Sequence, residues 1–288
     1  STPRAASALP PAPTDGGPAS RGGPTLRIMA ASRFPFTSAL VTGASSGIGE
    51  SMVRLLAEAG VPTVIVARRA DRLDELAERL VGIEVLAADL GTPDGVAAVA
   101  DRVSSAVAPI DLVVNNAGFG TSGEFHTIEP DRLDDEIQLN IAALTRISRA
   151  ALGVMVPRGN GHLLNVSSVA SFQPAPKLAV YAATKAYVTS LTESLHEEVR
   201  GTGVKVTALC PGLTRTEFQS VSNTEHYTTN YPGFAWLGAD EVAHAGLDAV
   251  AKGKAMSVPG VVYKGLAAAT GFTPRGLTRR LSGLVQRG

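Results

Sequence analysis

Two stretches of this sequence carry side chains whose types and spacing could do chemistry. Tyr181-Ala-Ala-Thr-Lys185 separates a phenol and an amine by four positions, which on a helix puts both on one face about one turn apart. A free tyrosine ionises near pH ~10. A cation beside it favours the phenolate, so the spacing predicts a lowered phenol pKa and a group able to exchange protons near neutrality. Upstream, "LLNVSS" brings Ser167 and Ser168 to the end of an apolar run. A hydroxyl there could hold a carbonyl oxygen or cap a turn.

The second stretch, "TGASSGIG" from Thr42 to Gly49, has two readings. Gly43-Ala44-Ser45-Ser46-Gly47 matches G-x-S-x-G, the turn that presents a nucleophilic serine in α/β-hydrolases. Gly43, Gly47 and Gly49, with Ser45, Ser46 and Ile48 between them, instead suit a loop where backbone amides and a helix start meet a phosphate. The hydrolase reading needs a later acid and histidine, and none of His126, His162, His196, His226 and His244 stands in a recognisable setting. The other common phosphate loop, G-x-x-x-x-G-K-[ST], is absent. About twenty residues on, where a dinucleotide site often carries an acid for the ribose hydroxyls, stand Arg68 and Arg69. Two guanidiniums without a neighbouring acid predict a 2′-phosphate ligand, and so NADP rather than NAD.

These residues need elements to hold them. "SALVTG", "PTVIVAR", "GIEVLAADL", "IDLVVNNAG", "GHLLNVSS" and "GVKVTALCPG" read as buried strands, with a short last one at "AMSVPG". Between them, "GESMVRLLAEAG", "ADRLDELAERL", "TPDGVAAVADRVSSAV", a long segment from Pro130 to about Val156 and "AVYAATKAYVTSLTESLHEEVR" read as helices. Such alternation predicts a mostly parallel sheet with helices on both faces, in one domain over residues 34–260. Ligands then sit beyond the carboxyl ends of the strands, where the glycine loop, Arg68 and Arg69, and Ser168 all fall.

Composition narrows the classes. The 26 basic and 26 acidic side chains cancel, which argues against a general nucleic-acid binder. One cysteine, Cys210, excludes an internal disulfide and a cysteine-based zinc site, and fits a reducing, cytoplasmic compartment. No apolar run reaches the ~18 residues of a membrane span. Residues 1–33 are mostly Pro-, Gly-, Ser- and Ala-rich, and we read them as a disordered tail in which Met29 could be the functional start. Residues 250–288 lack Asp and Glu and carry Lys252, Lys254, Lys264, Arg275, Arg279, Arg280 and Arg287. A basic helical extension over 261–288 is expected, solvated or resting on anionic lipid.

Together the motifs resemble the short-chain dehydrogenase/reductase family over roughly residues 36–260. The resemblance rests on T-G-x-x-x-G-I-G at Thr42–Gly49, "AADL" with Asp89, N-N-A-G at Asn115–Gly118, Asn140 in "IQLNIAAL", Ser168, Tyr181 and Lys185, and "CPGLTRT" from Cys210 to Thr216. The carboxyl-terminal segment resembles a subset called DltE-like or 3-oxoacyl-type reductases. The resemblance implies a Rossmann-type doubly wound α/β sheet of about seven strands and a hydride transfer between NADP(H) and a carbonyl or secondary alcohol. It implies that Tyr181 donates the proton, Lys185 lowers the Tyr181 pKa and holds the nicotinamide ribose, Ser168 polarises the carbonyl and Asn140 supports a proton relay to Lys185.

For the nucleotide, the resemblance implies an adenine contact by Asp89 and Leu90, and passage of Asn116, Ala117 and Gly118 beside the adenosine ribose. Asn115 ties strands together. Pro211, Gly212, Thr214 and Thr216 wrap the nicotinamide end, and Arg69 or its neighbour, helped by Ser45, selects the 2′-phosphate. No metal is implied, and the Asn165-Val-Ser167 sequon is discounted because it falls within a strand. Substrate choice lies in about residues 213–238, where Phe218, Tyr227, Tyr231, Phe234 and Trp236 suggest an apolar lid over a bulky or acyl-type ketone. Members of the family commonly form homodimers or homotetramers through the two long helices. A non-catalytic nucleotide sensor of the same fold remains the alternative.

Overall fold

The computed structural model describes residues 33–225 and 231–272. Seven parallel strands form one sheet in the order β3-β2-β1-β4-β5-β6-β7. They are β1 (Ala39–Thr42), β2 (Thr63–Ala67), β3 (Ile83–Ala87), β4 (Leu112–Asn115), β5 (Gly161–Val166), β6 (Val204–Leu209) and β7 (Met256–Ser257). This is the parallel sheet that the alternation predicts, in the doubly wound, Rossmann-type order that the resemblance implies. β1 pairs on one side with β2 and on the other with β4, so the chain direction across the sheet switches beside β1. A crevice for a ligand opens at such a switch.

The strands are apolar throughout because both faces are covered. Side chains alternate between them. Leu40, Val64, Val66, Val113 and Leu163 pack with Val96, Val99, Ile147, Ala151 and Met155 on one face. Ala39, Val41, Ile65, Leu112, Val114 and Leu164 pack with Met52, Leu56, Leu73, Leu76, Val242 and Leu247 on the other. The covering helices are α1 (Gly47–Glu58), α2 (Ala70–Arg79), α3 (Pro93–Ser104), α4 (Pro130–Ile137), α5 (Leu144–Arg158), α6 (Ala179–Glu198) and α8 (Ala239–Ala251). A one-turn α7 (Phe218–Val221) and a carboxyl-terminal α9 (Val261–Phe272) complete the helices named here.

Three features refine the sequence reading. The long helix expected from Pro130 is helical to Arg158, but Gln138–Ala143 between α4 and α5 is a π-helical turn with Asn140 inside it. Such turns are found mostly at functional sites. By length and composition this continuous run is also apolar enough to cross a membrane, which corrects the expectation that no such stretch exists. Its packing argues for a layer of the fold: Ile147, Ala151 and Met155 are buried beneath the sheet, and Asp131, Arg132, Asp134 and Asp135 crowd its first turns. The helix α8 was not anticipated. Residues 1–32, 226–230 and 273–288, which include the expected tail, Met29, Tyr227, His226 and the last four arginines, lie outside the described residues.

Candidate active site

Six strand ends converge on one edge of the sheet, and every residue expected in the site follows one of them or lies on α6 or the turn before α5. After β1, Gly43 and Gly47 take φ of 65° and 59°, a left-handed backbone that favours glycine. A Cβ on Gly49 would strike the Gly43 carbonyl oxygen and stand 2.5 Å from Asn116 Nδ2. On Gly47 it would meet Thr216 at 2.9 Å. The glycines therefore serve the loop's own packing as well as an incoming ligand. Gly49→Ala is expected to overpack this point at a cost of about 1–3 kcal/mol, lowering Tm by several degrees in a thermal melt. An unchanged Tm would contradict the tight packing.

The loop leads into α1, whose N-cap Ser46 makes no side-chain cap hydrogen bond. First-turn amides at a helix start not capped in this way suit an anion. From the neighbouring strand, Asn116 Nδ2 donates to the carbonyls of Thr42 (2.9 Å) and Gly43 (3.1 Å), while Thr42 Oγ1 accepts from the amides of Asn116 and Ala117. The Asn116 side chain thus pins the glycine loop. Asn115 donates to Ser148 and Asn165, tying β4 to α5 and β5 as expected. Asn165, first residue of the sequon, is fully buried.

The Ser45 hydroxyl accepts from Arg69 Nη2 at 2.9 Å, and that of Ser46 from the same nitrogen at 3.3 Å. This engages Ser45 with a cation and not with a base. His162 is buried at the amino end of β5 against Phe36, near Asp111, and His196 is bonded to the Val206 carbonyl. The hydrolase reading gains no histidine from them.

The second strand end departs from expectation. Arg69 does have an acid beside it: Glu217, from the segment after β6, accepts from Arg69 Nη1 at 3.0 Å and from Arg72 Nη1 at 2.5 Å. Both arginines hold the Glu217 carboxyl below its usual range. Arg68 is exposed with no partner among the described residues. Sequence reasoning missed Arg72 and Glu217. Arg72 had a signal, one helical turn beyond Arg68 and Arg69. Glu217 had none, because 148 positions separate it from Arg69.

Asp89, after β3, is exposed and accepts from the Gly91 amide at 2.9 Å, while Leu90 is buried beside it. The carboxylate expected at the adenine is therefore partly used in shaping its own turn. Ser168, after β5, caps a short 3-10 turn by accepting from the Ala170 amide at 3.1 Å. Ser167 is structural: it donates to the Lys185 carbonyl and shares a hydrogen bond with Thr189.

On α6, Tyr181 and Lys185 share a face, with Nζ 5.7 Å from the phenol ring centre. Both are buried. Lys185 Nζ donates to the Val166 carbonyl at 2.9 Å. Burial pushes its pKa down to about 8, with Glu136 and Cys210 acting in the opposite direction. The Tyr181 phenol is pushed up to about 12, first by burial, with the Ser168 hydroxyl opposing and the charge of Glu136 adding to the rise. The lowered phenol pKa expected from the sequence is thus overturned. Removing water from the phenolate dominates, and Lys185, whose nitrogen is aimed at a carbonyl, brings no lowering. Phe218 packs 5.4 Å from the phenol ring, and a Cβ on Gly120 would meet that ring at 3.0 Å.

Asn140 Nδ2 donates to the Phe119 carbonyl (2.8 Å) and to Thr184 (3.1 Å), and its Oδ1 accepts from the Phe119 amide (3.2 Å). It joins the turn after β4 to α6. A Cβ on Gly118 would press on Asn140 Oδ1 and Lys185 Nζ, so a side chain there would fill the space between these groups.

After β6, Pro211 accepts from the Val169 amide, and Thr214 is buried. The Thr216 side chain faces Gly47 and accepts from the Phe218 amide. The segment after β6 is held by a residue that the sequence reading did not single out. Tyr263 of α9 accepts from the Leu213 amide (3.1 Å) and donates to the Ala235 carbonyl (2.7 Å), while its ring fills the space over Gly212. Phe234 is 76% exposed and Trp236 half-buried, so the lid aromatics divide between packing and open surface.

A family model described as short chain dehydrogenase matches residues 37–226. An uncharacterized oxidoreductase of Staphylococcus epidermidis is 37% identical over 179 residues, covering 62% of this chain and 78% of the relative. Among solved structures, a short-chain dehydrogenase from Sphingobium yanoikuyae in complex with NADPH is similar at TM-score 0.74 and 34% identity, over 81% of this chain and 92% of that one. A bulky-bulky ketone specific alcohol dehydrogenase from Comamonas testosteroni is similar at TM-score 0.71 and 32% identity, over 81% and 91% of the two chains.

Proposed function

The chain belongs to the short-chain dehydrogenase family, and from that membership we propose that it transfers a hydride between NADP(H) and a ketone or secondary alcohol with an apolar or acyl-type body. One observation carries the reading: Tyr181, Lys185 and Ser168 meet at the same sheet edge as the helix start and the glycine loop. NADP(H), when bound, supplies the hydride. Gly43, Ser45, Ser46, Gly47, Ile48 and Gly49 would hold its phosphates, and Asp89, Leu90 and the Asn116–Gly118 backbone its adenosine. Pro211, Gly212, Thr214 and Thr216 would border the nicotinamide end. The glycine geometry and the α1 start fit such a group.

The chain's own residues handle the substrate oxygen. Ser168 orients the carbonyl. Tyr181 gives its phenol proton to the oxygen in reduction and takes it back in oxidation. Lys185 supplies positive charge next to the phenol, and Asn140 holds the Phe119 turn against α6. With a phenol pKa near 12, Tyr181 is fully protonated at neutral pH, which suits reduction.

Preference for NADP over NAD is supported by Arg69 bonded to Ser45, by Arg72 sharing Glu217 with it, by the exposed Arg68 next in sequence, and by the NADPH complex of the Sphingobium relative. The bulky-ketone specificity of the Comamonas relative and the aromatics of residues 213–238 support a bulky carbonyl substrate. The partly exposed Ile137, Val156 and Tyr187 on α4, α5 and α6 support pairing through the long helices. The buried, single Cys210 suits a reducing, cytoplasmic setting. The test is a fluorescence titration with NADPH and NADH, followed by an NADPH-oxidation assay over aldehydes, steroids, quinones and 3-oxoacyl thioesters. Turnover of bulky ketones with NADPH is the expected result. Nucleotide binding without turnover on any carbonyl would favour a sensor.

A further inference from the structure

Glu136, the seventh residue of α4, is not among the groups assigned above, yet it is fully buried one turn before Asn140. Neither carboxyl oxygen is in hydrogen-bonding geometry with any group among the described residues. The side chain stands four positions before Asn140, on the helix that bends through the π turn. Groups on several elements face it. The Thr121 hydroxyl does so from the turn after β4, itself buried and without another partner among the described residues. Lys185 and Tyr181 feel its charge from α6. Arg132, one turn earlier on α4, is engaged elsewhere, stacked 4.0 Å over Phe119 and bonded to the Val221 carbonyl.

An unpaired buried carboxylate is costly, and an apolar side chain would fill the same place without that desolvation. Departures of this kind gather at functional sites. Two cations act on it, Arg132 first and then Lys185, and Arg132 is already held by Phe119 and the Val221 carbonyl. Lys185 is a buried ammonium whose hydrogen bond goes to a neutral carbonyl, so no carboxylate contacts it. We propose that Glu136 is a positioning residue that acts through Lys185, its carboxylate serving as the counter-charge that keeps the Lys185 ammonium protonated beside Tyr181. The proposal rests on the reading of Tyr181 and Lys185 as the proton-handling pair.

Two consequences follow from the charges. Burial raises the Glu136 carboxyl from the ordinary 4.5 to about 7, with Thr121, Arg132 and Lys185 opposing. The folded protein therefore keeps this proton longer than the unfolded chain does, so the contribution of this one group to stability is fully present below about pH 4.5 and is lost as pH rises through about 7. Lys185, held near 8, loses its proton at lower pH when the counter-charge is removed.

The test uses Glu136→Gln, with Glu136→Met as a second variant that fills the same space. For carbonyl reduction, the alkaline limb of the kcat/KM profile is expected to move down by about one pH unit while kcat at the optimum stays within about tenfold of wild type. A purely structural role would scale the rate without moving the limb. A denaturation cycle of wild type, Glu136→Gln, Lys185→Met and the double variant needs no turnover. It should show coupling between the two positions at pH 8 and additivity at pH 5. Superimposable pH profiles, or additivity at both pH values, overturn the proposal. Coupling in the cycle with no turnover by wild type would leave the electrostatic pair standing and overturn the reading of function instead.

Discussion

Tyr181→Phe is expected to lower kcat/KM for carbonyl reduction by roughly 10²–10⁴-fold while leaving NADPH affinity near wild type. The substitution is clean because Phe keeps the ring that packs on Gly120 and Phe218 and removes only the hydroxyl. That hydroxyl faces the Ser168 hydroxyl, so its loss leaves the bonds that hold α6 in place, such as that from Thr184 to the Tyr181 carbonyl. Burial holds the phenol near 12 and the Lys185 amine near 8. Below about pH 8 the site therefore carries a protonated phenol and an ammonium, the state needed to donate a proton in reduction. Oxidation needs the Tyr181 phenolate to accept the alcohol's proton, so its rate is expected to climb toward alkaline pH until Lys185 loses its charge. Steady-state assays in both directions over pH 6–10 check this. A Tyr181→Phe enzyme with full reductase activity would remove Tyr181 from the mechanism.

Arg69→Ala is expected to weaken NADPH by roughly 10- to 100-fold and to leave NADH nearly unchanged. That is the effect of losing a charge-assisted hydrogen bond of about 1.5–3 kcal/mol to a phosphate. Arg69 reaches Ser45 and Ser46 of the glycine loop with one nitrogen and Glu217 with another, so it already stands between the loop and the lid. The Glu217 carboxylate occupies the two guanidiniums that a 2′-phosphate would engage. Glu217→Gln is therefore expected to act in the opposite sense, tightening NADPH by less than tenfold, because the pair is exposed and its net strength small. Parallel titrations of both nucleotides read both effects. If Arg68 and Arg69 can both become Ala without changing the ratio of the two affinities, the preference for NADP fails.

The elements most legible in the sequence were those whose signal is local. β1, β2, β5 and β6 are short apolar runs ended by a turn residue or a polar group, and their observed limits fall within the stretches that predicted them. The spacing of Tyr181 and Lys185 is a property of one helix, so it survived folding unchanged. The π turn around Asn140 was invisible, because its composition is that of any helix. The pairing of Arg69 with Glu217 was invisible for a different reason, since it joins segments 148 positions apart through a loop whose path is set by other contacts. Among those contacts is the grip of Tyr263 on Leu213 and Ala235.

The sequence by itself determined the parallel sheet, the glycine loop after its first strand and the helical spacing that puts Tyr181 and Lys185 on one face. Periodicity and short-range spacing reach that far because strands and helices have fixed repeats. The electrostatics belong to the tertiary structure. Burial on every side raised the Tyr181 phenol where its neighbour on the helix alone would have lowered it. Folding also brought an acid to Arg69 and buried Glu136 where its charge acts on Lys185. A pKa depends on how much water and which charges surround a group in three dimensions, and the chain acquires those surroundings only when distant segments close over it.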